Sequence, residues 1–245
     1  MRQIFGAVDT LLRGGFSRRQ DLSEGRFEIP VPILVKAAAI LGVAYGVFMG
    51  LFAALRGGSG AALQVASTMV KVPALFLMTL LVTFPSLYVF SALSGSRLQF
   101  KDTLRLLLAA IAVNLALLAS FGPVTGFFTL STDSYPFMIL LNVAFFAISG
   151  AIGLEFLRRA LDVVFGRAEA PAPPAPAAAP AGARTVDPAQ RVFRVWTFIY
   201  AVVGAQMGWV LRPFVGAPSE PFQLFRARQS NFFAAVFEAL RNLLS

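Results

Sequence analysis

Two groups of residues in this chain have types and spacing that bear on chemistry. Asn114, Asn142 and Gln206 each interrupt an apolar run, and in an alternating membrane topology they fall at similar depth, about 8–10 Å below one boundary at 1.5 Å per residue. A carboxamide both donates and accepts hydrogen bonds. Three at one level would line a polar vestibule or a small-molecule site, whereas taken singly each would bond helix to helix, for about 0.6 kcal/mol on average. The second group, Trp209, Arg212, Phe214, Phe222, Phe225, Arg226 and Arg228, interleaves aromatic rings with guanidiniums around proline turns. Arginine forks bind phosphates bidentately and aromatic rings rest at headgroup level. The patch therefore suits a phospholipid headgroup or an acidic partner segment, with Asp133 and Glu220 as the acids within reach of Arg212, or it is an aromatic belt with snorkelling arginines.

Other chemistry is excluded by what the chain lacks. It has no cysteine and no histidine. Disulfides, thiolate nucleophiles, imidazole bases and nearly every familiar transition-metal or haem site go with them. No two of the twelve acidic residues fall within the apolar runs, so a paired-carboxylate site has no place there. Neither a phosphate-cradling glycine loop ending in Lys-Ser/Thr nor a serine nucleophile elbow occurs. The expectation is a protein without catalytic residues, metal or cofactor.

The elements that must position these groups are membrane helices. At 57% hydrophobic residues and a mean hydropathy of +0.72, the 245-residue chain exceeds the apolar share of about 45–50% usual for a soluble domain. Charged residues cluster between the apolar runs, and such runs can satisfy their backbone groups in lipid only as helices, so the fold class is all-α: a polytopic bundle of about five transmembrane helices with interfacial amphipathic helices at both ends. The spans are predicted near 33–55, 73–93, 104–121, 136–157 and 192–211. In the first, Ala38, Gly42, Gly46, Gly50 and Ala54 recur every four residues, a small-residue ridge along which another helix can approach closely. Gly204 and Gly208 give the fifth run a GxxxG pattern that could match it. Pro85 predicts a kink in the second run, with Thr79, Thr83 or Ser86 available for freed backbone groups. Gly122 and Pro123 predict the end of the third. Glu155 stands three and four residues before Arg158 and Arg159, the spacing of a local helical ion pair.

The chain divides into an amphipathic N-terminal segment (1–29), a four-helix core (30–166), a Pro/Ala-rich linker (167–187), a fifth transmembrane helix (188–212) and an aromatic and arginine-rich tail (213–245). Apolar positions of residues 232–244 share one helix face, which predicts a surface helix on the outer side. Basic residues in the flanks of the spans, with Arg105 and Arg194 at the starts of the third and fifth included, number five, two, three, none, six and four. The positive-inside rule then places the N-terminus in the cytoplasm. The excess of arginine over lysine fits a bacterial cytoplasmic membrane. The net charge of +9 is scattered over membrane-flanking segments, so anionic lipid headgroups and not nucleic acid are the expected counterpart. The sequence points to an assembly, anchoring or scaffold subunit that docks with its own copies or a membrane-protein partner. The alternatives are a homo-oligomeric channel for ions or small solutes and, behind it, a lipid-handling transporter or enzyme.

Overall fold

The computed structural model describes residues 2–13, 29–56, 60–93, 100–165, 188–211 and 232–244. They form seven α-helices: α1 (Arg2–Leu12), α2 (Val31–Leu55), α3 (Ala61–Leu93), α4 (Phe100–Ser131), α5 (Tyr135–Phe165), α6 (Pro188–Leu211) and α7 (Phe232–Leu244). Four of them, α2 to α5, are long and apolar enough to cross a membrane, and the apolar part of α6, Val195–Gly208, is shorter. The all-α membrane bundle expected from composition is the fold found. Four of the five predicted spans are found at full apolar length among the described residues. The linker 167–187 lies outside the described residues.

Helix α2 is the centre, packed on one side by α3 and on the other by α4. Its glycine ridge faces α3. A Cβ built on Gly46 would stand 2.6 Å from the Thr68 carbonyl oxygen and 2.8 Å from Met69 Cα, one on Gly50 2.8 Å from Val65 Cα, and one on Gly42 2.9 Å from Pro73 Cβ. Only glycine lets the two backbones come this close. Thr68 uses the proximity, donating its hydroxyl to the Gly46 carbonyl at 2.8 Å. Ala38 is fully buried on the same helix and Ala54 is half-buried. The ridge is thus filled by α3 of the same chain, and the suggested match with Gly204 and Gly208 does not form.

This contact also explains where α3 begins. Pro73 marks a helix start by its missing N–H, yet α3 starts twelve residues earlier, because residues 65–73 are the segment the ridge holds. Tertiary cover outweighs local propensity here. The same holds for α4, which runs through Gly122 and Pro123 to Ser131 instead of stopping near residue 121. Phe48 of α2 lies against that stretch, where a Cβ on Gly122 would meet its ring at 2.5 Å and one on Gly126 at 3.1 Å. Beyond it, Arg56 at the end of α2 donates to the carbonyls of Thr129, at 3.1 Å, and Thr132, and pairs with Asp133 at 2.7 Å. A cation thus closes the negative end of α4.

Around Pro85 the hydroxyls bond carbonyls of the preceding turns and not that of Leu81, the one the proline frees. Thr83 donates to the Thr79 carbonyl and Ser86 to that of Thr83, each at 2.7 Å. Trp196 of α6 docks there, its indole N–H reaching Ser86 Oγ at 3.2 Å. Further along, Gly204 faces Thr79 and Gly208 faces Leu75, so α6 runs antiparallel to α3. Helix α1 packs against α2 and α4 with Leu11 buried, while Phe5 and Leu12 stay exposed. Helix α7 packs against α5 and α6.

Candidate functional site

The three amides have three different surroundings. Asn142 of α5 accepts a hydrogen bond from the Tyr45 hydroxyl of α2 at 2.7 Å and donates to the Met138 carbonyl at 2.7 Å, all within the buried core. The Tyr45 ring meets Phe146 edge-on at 5.8 Å, and Phe146 stacks on Phe76 at 5.9 Å. This couple ties α2 to α5 and leaves the Asn142 oxygen and amide both engaged. Tyr45→Phe keeps the ring and removes the donor. The variant is expected to lose about 1 kcal/mol in a reversible unfolding titration. An unchanged midpoint would mean the bond contributes nothing.

Asn114 of α4 sits elsewhere. It lines a cavity of about 430 Å³ between α3, α4, α5 and α6, with Phe232 of α7 at its edge. It is lined by Leu75 and Phe76 of α3 and by Leu107, Ala110 and Ile111 of α4, while α5 and α6 contribute both small residues, among them Gly150, Gly153, Gly204 and Gly208, and bulky ones such as Phe146, Leu157 and Tyr200. Asn114 is 7% exposed, and its Oδ1 is buried without a hydrogen-bond partner. The glycines make room for it, since a Cβ on Gly153 would come within 3.1 Å of Asn114 Cβ. Gln206 is half-buried on α6 and does not line the cavity. The three amides are therefore not one cluster, and no shared polar lining is formed by them.

The GxxxG of α6 has a looser role than its pattern suggests. A Cβ on Gly204 would sit 3.7 Å from Thr79 and one on Gly208 3.5 Å from Leu75, ordinary contact distances. These glycines shape the cavity wall. Glu155 makes the expected local pairs, with Arg158 Nε and Arg159 Nε each at 2.8 Å, on the exposed surface. Of the aromatic and arginine patch, Arg212, Phe214, Phe222, Phe225, Arg226, Arg228 and the Trp209 side chain lie outside what the structure describes. Asp133, one of the two acids expected as partners of Arg212, is bonded to Arg56.

The chain matches no family model, no curated protein and no solved structure. Function has to be argued from the geometry. Among the described residues no group of three or more His, Cys, Asp or Glu side chains is gathered as a metal site. Sequence reasoning missed Tyr45, Thr68, Arg56 and Trp196, each of which bonds one helix to another. Their only signal was a polar tip on a residue embedded in an apolar run.

Proposed function

We propose that this protein is a non-catalytic multi-pass membrane protein that acts as an assembly or anchoring subunit, and that α5 carries its docking face. With the glycine ridge covered by α3, docking cannot use the ridge itself. Helix α5 is the remaining exception in the bundle. Its span has only 28% of its most apolar window buried, against 67% for α4. The bare side presents Ala144 beside Ile148 and Ile152, and at its edge Ala147 and Ala151 pass into the cavity wall. At exposed positions of α3 and α4 the chain instead carries bulky side chains such as Val70, Leu81, Val82, Phe127 and Leu130. Small residues at helical spacing allow backbones to approach and add little contact with lipid, which supports a neighbouring helix as the natural cover.

Lys36, Lys101, Arg105, Arg158 and Arg159 belong to the ends where α2 and α4 begin and α3 and α5 stop, and Arg56 belongs to the opposite ends. This asymmetry supports a cytoplasmic N-terminus in a bacterial inner membrane, with anionic headgroups as lipid partners. The parent has no cysteine, which makes cross-linking clean. Ala144→Cys is expected to form a disulfide-linked dimer on mild oxidation in membranes, while Val82→Cys on α3 stays monomeric. Equal cross-linking of both, or of neither, would rule out self-association through α5.

A further inference from the structure

We infer that the cavity between α5 and α6 is a phospholipid site: one acyl chain fills it, and the phosphate of the same lipid rests against Arg158 and Arg159 at its end. Three features carry this. The first is shape. Along α5 the lining runs from Val143 to Leu157, about 21 Å at 1.5 Å per residue, which exceeds one leaflet's half of the hydrocarbon core, about 15 Å. The space of about 430 Å³ takes about fourteen methylene groups, at the roughly 30 Å³ that a water-sized group occupies in a liquid. The second is access. Helices α5 and α6 both wall the cavity with scarcely any direct packing between them, and the lining residues Ala147 and Ala151 of α5 and Ala201 of α6 are exposed, so the space opens sideways into lipid. The third is charge. Arg158 stands one turn beyond Leu154 and two beyond Ala151, on the same face as those lining residues, in the last turn of the apolar span Tyr135–Ala160. The Arg158 and Arg159 side chains are 56% and 69% exposed and share the single carboxylate of Glu155. At that end of α4 and α5, Lys101, Arg105, Arg158 and Arg159 stand against Asp102, Glu155 and Asp162, and the balance is positive. A guanidinium carries five N–H donors, of which Arg159 commits Nε to Glu155, and its fork suits a phosphate.

The walls decide against other occupants. A water molecule needs two to four polar partners, and the lining turns its polar atoms away. Thr79 spends its hydroxyl on the Leu75 carbonyl at 2.7 Å and points its methyl at Gly204, while Asn114 Oδ1 has almost no accessible surface. A helix of another chain is too large, since one turn with side chains, about 10–12 Å across and 5.4 Å long, takes roughly 500 Å³. Hydrocarbon fits. Left empty, the lining side chains would lose dispersion contacts on that side, which a chain restores without needing a hydrogen bond. The site stands apart from docking through α5, because the docking side is that of Ala144, Ile148 and Ile152 and the cavity lies round its edge.

The test is photolabelling of the full chain in nanodiscs with a phosphatidylglycerol that bears a diazirine midway along one acyl chain, followed by mapping of the modified residues. Modification within 143–157 and 200–208 is expected to exceed that at Val82 and Val89, exposed positions of α3, at least fivefold. Excess unlabelled phosphatidylglycerol should lower it at least fivefold, whereas excess diacylglycerol with the same chains, which lacks the phosphate, should not. Ala205→Phe fills the space from α6 and should bring labelling down to the level of Val82. Arg158→Gln combined with Arg159→Gln changes only exposed side chains, so the fold is kept, and it should lower labelling at least fivefold through the headgroup alone. Labelling no higher than at Val82 and Val89, equal competition by diacylglycerol, or no loss in either variant would overturn the inference. An unlabelled cavity together with a cross-linked Ala144→Cys dimer would overturn this inference alone and leave docking through α5 standing.

Discussion

Gly46→Ala is expected to unfold or misassemble the protein although it adds a single methyl group. That methyl would lie 2.6 Å from the Thr68 carbonyl oxygen and 2.8 Å from Met69 Cα, and both are backbone atoms of α3 that cannot turn aside. The helices must separate. Overpacking of a closed contact typically costs about 1–3 kcal/mol, occasionally more, and separation also breaks the 2.8 Å bond from Thr68 to the Gly46 carbonyl. Gly204→Ala and Gly208→Ala supply the contrast, because their new methyl groups would meet Thr79 and Leu75 at 3.7 and 3.5 Å, within ordinary contact. Those two variants should keep the parent midpoint within about 0.5 kcal/mol in a denaturant titration. Three equal midpoints would show that α2 and α3 are not in backbone contact at Gly46.

The difference between those glycines shows what a sequence can and cannot reveal about a membrane bundle. Both pairs read as GxxxG. The four-residue repeat from Ala38 to Ala54 was legible as a packing face because it persists along the whole of α2. Its partner was not legible, because the residues that fill it, Val65 to Pro73, carry Ser67, Thr68 and Lys71, and Pro73 reads as a helix start. Likewise Gly122 and Pro123 are helix breakers by local propensity, and only the ring of Phe48 and the guanidinium of Arg56, distant in sequence, keep α4 going. The amides were legible as functional candidates for the opposite reason: polar groups stand out in apolar runs. Their partners did not, since Tyr45 is counted among hydrophobic residues and its hydroxyl matters only once α5 brings Asn142 to 2.7 Å. Asn114 has no counterpart of Tyr45, and its oxygen is buried without a hydrogen-bond partner.

The register of α6 leads to the other large effect, an all-or-none difference in labelling. Residues 192–211 are numerous enough to span by length alone. Contacts place them differently. Trp196 lies at Ser86, Gly204 at Thr79 and Gly208 at Leu75, and Pro73 lies on Gly42. Extending this antiparallel register by three residues brings Leu211 about level with Gly42, the middle of α2, so roughly 20 Å of α2 continues beyond the end of α6. Single cysteines in the cysteine-free parent read that depth directly, because a maleimide needs a thiolate, and a thiol in hydrocarbon stays protonated and out of reach of water. Ser131→Cys, at the end of α4, should react with a membrane-impermeant maleimide added outside intact cells. Asp9→Cys, exposed on α1, should react only after permeabilisation, as a cytoplasmic N-terminus requires. Leu211→Cys should stay unlabelled under both conditions and react only once detergent denatures the protein. Were it to react from outside as fast as Ser131→Cys, α6 would reach the outer surface, and the antiparallel register set by Trp196, Gly204 and Gly208 would be wrong.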